Sequence, residues 1–431
     1  MDERFYIETY GCSLNASDTD LITSLLRDLG AERVNHVEDA DVVFINTCGV
    51  KTPTEDKIIH RLEELSGCVK PVVVVGCLPR IHLTRVTAAI PSYAAILGPQ
   101  SLDVLEDVFQ RVVNGERGIV SLTSGPASKL EFLRTTAPGV IYTIPICEGC
   151  LGACTYCAVR FARGPVRSYS IDRLRQVAER SVHLGYKEIR LTAQDTGAFG
   201  SDTGEDLVGL LRTLDGIPGV HRFRLGMFNV NLVERLLPDM LDVMRSSHFF
   251  RFFHIPVQSG SDAILRAMNR RYTSLEWERV VHAIRAALPD ATIATDVIVG
   301  FPGETDSDFE LTLSILKRAT PDVVNISKYG DRPGTEASKS DRKVKTATKK
   351  ERGRVVSDLV SHMSIEAAKR WIGWTGPVLI TSATADGVSF GRTPSYRPIT
   401  LDESLEPGKT VNAQIVDARR THLIGTVQDR A

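Results

Sequence analysis

Residues 147–157 read CEGCLGACTYC and hold four of the chain's eight cysteines. Clustered thiols can form disulfides, bind zinc or carry an iron–sulfur cluster. The chain has neither an apolar run long enough for a membrane span nor a secretory signal at its start, so we expect a cytoplasmic protein. In that reducing compartment, clustered cysteines are more often metal ligands or catalytic groups than disulfides. The segment therefore predicts a metal site.

Strand and helix patterns alternate on both sides of this segment. Six apolar or β-branched segments between about residues 142 and 329 are separated by amphipathic helical patterns, which predicts a full or partial (β/α) barrel. The cysteine segment follows the first of these strands, at the mouth where such barrels hold their active sites. Cys150, Cys154 and Cys157 have the spacing C-x3-C-x2-C. Cys147 could supply a fourth zinc ligand, but the position at the mouth favours three thiolates on a four-iron cluster with one iron open.

The first third of the chain carries a second set of cysteines. Three short β-branched segments alternate with amphipathic helical patterns, which predicts a parallel, Rossmann-like α/β domain. The three segments end in Cys12, Cys48 and Cys77. Because the carboxyl ends of parallel strands share one edge of a sheet, we expect these thiols to converge as metal ligands. Cys68 lies near a helix end without such partners, and we expect it to be structural.

The end of the chain has a different pattern. Residues 372–431 contain short strand patterns with Gly and Pro turns and no helix pattern, which is typical of a small β-barrel. Residues 341–371, just before it, carry nine Lys or Arg against four Asp or Glu. The net charge of −1 argues against binding nucleic acid by bulk charge, but a local patch of this kind can bind phosphate. The predicted domains are residues 1–135, 136–371 and 372–431.

The C-x3-C-x2-C loop after the first barrel strand resembles that of the radical S-adenosylmethionine (SAM) superfamily. The resemblance implies that Cys150, Cys154 and Cys157 hold a 4Fe–4S cluster whose open iron chelates the amino and carboxylate groups of SAM and donates an electron to its sulfonium, which yields a 5′-deoxyadenosyl radical. Tyr156 matches the aromatic residue usual between the last two ligands. The resemblance also implies SAM contacts from polar groups at the other strand ends. These candidates are Gln194, Asp195, Arg224, Gln258, Ser259 and Asp296.

Two thiol triads followed by a small β-barrel resemble the methylthiotransferase family over nearly the whole chain. Cys12 in TYGCSLNASDTD, Cys48 in INTCGVK and Cys77 in VVGCLPR match the ligands of its auxiliary 4Fe–4S cluster, and the terminal segment resembles its TRAM domain. The resemblance implies replacement of a C–H bond by C–SCH3. One SAM then gives the methyl group and a second gives the radical, with an external electron donor and a sulfur donor.

Members of this family modify isopentenyladenosine or N6-threonylcarbamoyladenosine at tRNA position 37, or an aspartate of a ribosomal protein. The string GCLGACTYCAVRFARGPVRSYS resembles the archaeal and eukaryotic threonylcarbamoyladenosine branch, which implies the tRNA anticodon loop as partner. We predict that Arg163 and Arg167 face a substrate phosphate or carboxylate, and that Arg392 and Arg397 bind RNA. Two other classes stay open, a radical SAM oxidoreductase with an electron-relay cluster and a zinc-containing RNA-binding protein. The sequence does not fix the oligomeric state.

Overall fold

The computed structural model describes residues 3–122, 129–132 and 139–428. Three bodies follow one another along the chain, which are a parallel α/β sheet, a partial barrel of parallel strands and a small closed barrel. This order confirms the predicted α/β multidomain fold class. The predicted boundary between residues 135 and 136 lies outside the described residues.

The N-terminal sheet is parallel throughout and has the strand order β2-β1-β3-β4-β5-β6. The two central strands, β3 and β4, are buried along their whole length, because apolar cores cover both faces of the sheet. Sequence patterns missed β2, β5 and β6, which have only two or three residues each. The strands are β1 (Arg4–Thr9), β2 (Glu32–Arg33), β3 (Val42–Thr47), β4 (Val72–Gly76), β5 (Ala95–Leu97) and β6 (Ile119–Ser121). The helices are α1 (Ser13–Asp28), α2 (Thr52–Ser66), α3 (Cys77–Ala89), α4 (Leu105–Val113) and α5 (Lys129–Phe132).

The central body consists of two three-stranded parallel sheets, β11-β10-β7 and β12-β13-β14. A parallel bridge between Phe223 and Phe249 links the sheets into one curved partial barrel. Its strands are β7 (Ile141–Pro145), β10 (Glu188–Thr192), β11 (Arg222–Leu225), β12 (Phe252–His254), β13 (Thr292–Val299) and β14 (Val323–Lys328), and a short antiparallel ribbon pairs β8 (Cys147–Glu148) with β9 (Arg167–Ser168). All six predicted strands are present.

Helices cover the outer face of the partial barrel. A single large apolar cluster joins them to the strands, with Trp277 at its centre fully buried and its indole N–H donated to the carbonyl of Ile255 over 2.9 Å. The helices are α6 (Val159–Arg163), α7 (Ile171–His183), α8 (Leu207–Asp215), α9 (Val230–Val233), α10 (Leu237–Val243), α11 (Asp262–Ala267), α12 (Ser274–Ala287), α13 (Asp306–Ala319) and α14 (Thr346–Lys369). The predicted basic segment forms α14, the longest of these.

The C-terminal body is a closed barrel with the strand order β15-β16-β17-β19-β18. Its neighbours pair antiparallel except β17 and β19, which pair parallel. The strands are β15 (Thr375–Ala383), β16 (Ser389–Arg392), β17 (Pro398–Leu401), β18 (Thr410–Ala418) and β19 (Leu423–Val427). Across the described part of the chain, every helix is too short or too polar to cross a membrane.

Candidate functional site

Cys150, Cys154 and Cys157 lie in the loop between β8 and α6, after the first strand of the partial barrel. The three thiols line one cavity of about 220 Å³. A Cβ atom at Gly152 would lie 3.3 Å from the Sγ of Cys150 and 3.5 Å from that of Cys154, so glycine keeps the space between these sulfurs free. The backbone N–H of Gly152 also donates to the Sγ of Cys150 over 3.2 Å. The loop therefore presents three sulfurs around one open volume.

The surroundings of the Cys150 and Cys157 thiols favour their protonated form in the absence of a metal. Burial raises the pKa of Cys150, and it raises the pKa of Cys157 to about 12. An apolar environment disfavours a thiolate unless a cation lies beside it. Metal ligation requires the deprotonated sulfur, so we expect these thiols to release their protons when a metal centre binds.

A chain of hydrogen bonds ties the cysteine loop to neighbouring strand ends. Arg270 donates to the hydroxyl of Tyr156, which lies inside the loop. Its Nη1 also donates to the Oδ1 of Asn229 over 2.6 Å, and the Nδ2 of Asn229 donates to Asp195 over 2.6 Å. Sequence reasoning missed Arg270 and Asn229, because neither stands in a recognised motif and only the fold brings them to the loop.

Two residues predicted to contact SAM are buried and hydrogen-bonded inside the protein. Asp195 is buried, with one carboxylate oxygen accepting two backbone N–H groups and the other accepting the side chain of Asn229. Ser259 is also buried, and its Oγ lies 3.4 Å from the Oγ1 of Thr312 and accepts the backbone N–H of Ser261. These hydrogen bonds fix the positions of both side chains at the strand ends. Contact of Asp195 and Ser259 with SAM stays a prediction.

A second cavity, of about 310 Å³, lies where the N-terminal domain meets the mouth of the partial barrel. Residues 50–53, at the end of the loop after β3 and the start of α2, form one wall, and Tyr156, Gln258 and Asp296 belong to the other. The Oε1 of Gln258 is enclosed and has no hydrogen-bond partner among the described residues. The Oε1 of Gln194, just after β10, is also buried and has no hydrogen-bond partner among the described residues. Both amides are thus available to a polar ligand.

Asp296 presents a charged carboxylate to this cavity. Its Oδ2 lies 2.9 Å from the Nε2 of His254, and its Oδ1 accepts from the side chain of Asn325 over 2.8 Å. Burial acts to raise the pKa of Asp296, but the hydrogen bonds with His254 and Asn325 and the nearby Lys51 outweigh burial and lower the pKa below its ordinary value. The carboxylate is therefore ionised at neutral pH and can accept hydrogen bonds from a ligand.

Cys12, Cys48 and Cys77 follow β1, β3 and β4, which are neighbours in the parallel sheet. The structure brings the three thiols together at one edge. Gly11 packs against Cys48, since a Cβ atom at Gly11 would lie 2.7 Å from that sulfur, and its φ of +111° also favours glycine. The thiol of Cys12 donates to the Oδ1 of Asn15 over 3.5 Å. Burial raises the pKa of Cys48 to about 12, and the proximity of Cys12 and Cys77 acts in the same direction.

Arg163 does not face substrate as predicted. Its side chain lies at the end of α6, is fully buried and reaches across to the N-terminal sheet. The Nε donates to the Sγ of Cys77 over 3.3 Å, and the Nη2 donates to Asp18 over 2.6 Å. A guanidinium bonded inside the protein in this way cannot reach a phosphate at the surface, so the prediction is corrected. Arg167 is exposed on β9 and stays a candidate surface cation.

Lys129 and Glu148 are two further buried charged residues that contact Asp18 or Arg163. Lys129 donates to Asp18 over 2.6 Å and pairs with Glu148 over 2.7 Å. Glu148 in turn lies 3.6 Å from the Nη1 of Arg163. Sequence reasoning missed Asp18, Lys129 and Glu148. The one sequence feature that could have pointed to this group is the charged residue Glu148 within the cysteine segment.

The geometry of the thiols can be tested against the metal centres that they could bind. Among residues 3–122, 129–132 and 139–428, no three His, Cys, Asp or Glu side chains are spaced to hold a single metal ion. A 4Fe–4S cubane is bound at separate iron corners, so its thiolates stand further apart than the ligands of one zinc ion. Three thiols around a cavity of about 220 Å³ fit such a cluster, with one iron left for another ligand.

Arg224 lies inside the partial barrel, directed toward the C-terminal domain. Its guanidinium stands 4.7 Å from the ring centre of Phe252 and 5.5 Å from that of Tyr396. The Tyr396 hydroxyl donates over 2.6 Å to Glu188, the first residue of β10. This contact places the group at the amino-terminal end of the strands, opposite the cysteine loop. The prediction that Arg224 meets the carboxylate of SAM is corrected accordingly.

A third cavity, of about 370 Å³, separates this end of the partial barrel from the C-terminal domain. Arg392, Arg397 and Arg420 line it. Arg397 is buried, its Nη2 lies 3.6 Å from Asp322, and its Nε has no hydrogen-bond partner among the described residues. The guanidinium of Arg392 lies 4.6 Å from the Tyr396 ring. The cavity is therefore cationic, and both predicted RNA-binding arginines face it.

Three family models match separate parts of the chain. The radical SAM superfamily matches residues 144–316, the uncharacterized protein family UPF0004 matches residues 4–98, and the TRAM domain matches residues 369–427. The first match contains Cys150, Cys154 and Cys157, and the second contains the other triad.

Named relatives align along almost the whole chain. A probable threonylcarbamoyladenosine tRNA methylthiotransferase of Archaeoglobus fulgidus is 39% identical over 424 residues, which cover 98% of each chain. The threonylcarbamoyladenosine tRNA methylthiotransferase of Xenopus laevis is 33% identical over 437 aligned positions, which cover 99% of this chain and 78% of the relative.

One similar solved structure is that of the radical SAM methyltransferase TsrM of Kitasatospora setae with tryptophan and a SAM analogue bound. Its TM-score is 0.57 at 13% identity, and the match covers 90% of this chain and 78% of that one. At this identity the likeness shows the fold alone. The family models and the near-full-length relatives carry the assignment. The chain belongs to the radical SAM methylthiotransferase family.

Proposed function

We propose that this chain converts N6-threonylcarbamoyladenosine at tRNA position 37 to its 2-methylthio derivative. The observation that carries the proposal is the cavity of about 310 Å³, because its walls join the loop after Cys48 to Tyr156, which stands between two cysteines of the other triad. A base in this cavity would have a thiol triad on each side. The relatives named for this activity align over nearly the whole chain and support this choice of base.

We assign one 4Fe–4S cluster to each triad, held by Cys150, Cys154 and Cys157 in the barrel loop and by Cys12, Cys48 and Cys77 at the sheet edge. When bound, the clusters would supply, together with SAM as radical source and methyl donor, the radical that breaks the C–H bond and the sulfur that replaces it. An external reductant and a sulfur donor complete the reaction.

The chain's own polar groups then bind and orient SAM. The unpartnered amide oxygens of Gln194 and Gln258 accept hydrogen bonds from its amino or hydroxyl groups. The ionised carboxylate of Asp296 accepts in the same way at the wall of the cavity. The roles of Gln194 and Gln258 follow from their unpartnered amide oxygens, and that of Asp296 follows from its charge and its place in the cavity wall.

Position 37 lies beside the anticodon in an exposed loop, so its base can be unstacked and offered to a cavity. The cations around the cavity of about 370 Å³ lie at the other end of the barrel strands and would bind the RNA backbone there. The exposed Arg167 adds a cation close to the cysteine loop. The RNA would thus be held at two places on the protein.

The deciding experiment is mass spectrometry of tRNA nucleosides after anaerobic incubation of the reconstituted protein with SAM, a reductant, a sulfide source and, in parallel reactions, tRNA that carries N6-threonylcarbamoyladenosine or tRNA that carries isopentenyladenosine. A methylthio group on N6-threonylcarbamoyladenosine supports the proposal. Modification of isopentenyladenosine instead would move the protein to the other tRNA branch. Formation of 5′-deoxyadenosine with no methylthio product on either base would favour the oxidoreductase with a relay cluster.

Arg270→Gln is expected to slow SAM cleavage by about 10- to 100-fold, the usual cost of losing an outer-shell partner at a metal site. The change removes the guanidinium group that donates hydrogen bonds to both Tyr156 and Asn229, and so loosens the cysteine loop. The measurement is the rate of 5′-deoxyadenosine formation per cluster bound. Arg266→Gln, an exposed position on α11, is the matched control. Equal rates in the two variants would contradict the role given to Arg270.

Replacing Arg392 and Arg420 together by alanine is expected to weaken tRNA binding and to reduce its salt dependence. Each lost phosphate contact lowers the slope of log K against log salt concentration by about 0.7 to 0.9. Binding is measured by fluorescence anisotropy at several salt concentrations. Lys409→Ala, which breaks only a surface pair with Glu406, is the control. An unchanged slope in the double variant would remove this cavity from the RNA-binding surface.

A further inference from the structure

Both flanks of the cysteine loop reach one buried site in the N-terminal domain. Glu148 stands two residues before Cys150, and Arg163 closes α6, which begins two residues after Cys157. Both side chains meet Asp18 or its partner Lys129 in the interior. The loop that carries one triad is therefore bonded on both sides to a buried charge cluster that includes Asp18 of the N-terminal domain, which carries the other triad.

The buried group consists of two cations and two carboxylates, and its members pair with one another. Arg163 and Lys129 both contact Asp18 over 2.6 Å, and Glu148 lies 2.7 Å from Lys129 and 3.6 Å from Arg163. All four side chains are almost completely removed from solvent. In such surroundings a charge acts on its neighbours far more strongly than at the surface.

One hydrogen bond leads from this group to a proposed cluster ligand. The Nε of Arg163 donates to the Sγ of Cys77 over 3.3 Å, while the Nη2 of the same guanidinium is fixed by Asp18. The Oδ1 of Asn15 accepts weakly from both Cys12 and Arg163 at 3.5 Å. The guanidinium therefore has a defined orientation toward the thiol triad.

We propose that Arg163 is a positioning residue that raises the reduction potential of the cluster held by Cys12, Cys48 and Cys77. The inference rests on the proposed function, since it requires a cluster at that triad. Hydrogen bonds and positive charge at the sulfurs stabilise the more negative, reduced form of an iron–sulfur cluster. Asp18 acts in the opposite sense by placing a negative charge against the same guanidinium. The helix after the SAM-cluster loop thereby sets the electronic properties of the sulfur-delivering site.

The test uses full-length protein in which Cys150, Cys154 and Cys157 are alanine, so that iron binds at the other triad alone. After reconstitution, the midpoint potential is measured by redox titration followed by electron paramagnetic resonance. Arg163→Gln is expected to lower the midpoint, and Asp18→Asn is expected to raise it. Arg175→Gln, on the exposed face of α7 in a pair with Glu179, is the control and is expected to leave it unchanged.

The two opposite shifts are what a merely structural role would not produce. An unchanged midpoint in Arg163→Gln with the cluster intact would overturn the inference. If that variant does not hold a cluster, Asp18→Asn decides, because it keeps the arginine, and a midpoint that stays or falls would overturn the inference equally. Absence of iron and sulfide from the parent triple-alanine protein would count against the proposed function itself.

Discussion

Cys154→Ala is expected to abolish both SAM cleavage and methylthio transfer, whereas Cys48→Ala is expected to abolish methylthio transfer and leave SAM cleavage in place. Loss of an outer-shell partner alone costs up to about 100-fold, so loss of a ligand is expected to cost at least that much in each case. The asymmetry arises because the barrel triad surrounds an open volume at the mouth of the strands. The sheet-edge triad belongs to the N-terminal domain, whose residues 50–53 form a wall of the second cavity.

Both products can be measured in one anaerobic reaction, with 5′-deoxyadenosine and the modified nucleoside quantified by mass spectrometry and iron counted for each variant. Cys68→Ala is the matched control, since Cys68 lies just after α2 and outside both triads, and we expect it to leave both products unchanged. Methylthio transfer by Cys48→Ala, or SAM cleavage by Cys154→Ala, would contradict the division of labour between the triads.

Asp322→Ala is expected to destabilise the contact between the partial barrel and the C-terminal domain by about 3–5 kcal/mol, the cost of removing one partner from a buried ion pair. Asp322 is buried just before β14. Its carboxylate accepts from Arg370 over 2.7 Å and lies 3.6 Å from both Arg397 and Arg285. Without it, three guanidinium groups would face one another with no opposing charge.

The unfolding of this region can be followed by tryptophan fluorescence in urea, because Trp371 and Trp374 pack in or against the core of the C-terminal barrel. Asp358→Ala removes a surface pair with Arg354 on α14 and is expected to change the unfolding free energy by no more than about 0.5 kcal/mol. Equal unfolding midpoints for the two variants would show that Asp322 does not support the domain contact.

Periodicity and spacing are local signals, so they predicted local features, namely the strands and the cysteines at their ends. The strands that end near Cys48 and Cys77 are β-branched runs bounded by turn residues, so their burial and the position of the thiols could be deduced from the sequence. Asp18 and Arg163 are 145 positions apart and are joined only by the packing of two domains, which no local pattern encodes. Their charges look in sequence like ordinary surface charges.

Arg224 illustrates a different limit. Its place in a predicted strand was correct, but a strand pattern does not tell which end of a barrel a long side chain reaches. The guanidinium reaches the rings of Phe252 and Tyr396, and Tyr396 comes from a domain that begins about 150 residues later in the chain. Gln194 and Gln258 were correctly expected near the strand ends, because a glutamine side chain is shorter than that of arginine and its amide stays closer to its own backbone.

The contact of Tyr396 with the partial barrel limits how far the C-terminal domain can be treated as a detachable module. Tyr396 adopts a left-handed φ of +62°, packs with Phe250 and Phe252, and bonds Glu188 inside the barrel. Cutting the chain before β15 would uncover this apolar end and invite aggregation. Exchange of this domain between family members would therefore require the matching barrel end to be carried along with it, so the two have to evolve as one unit.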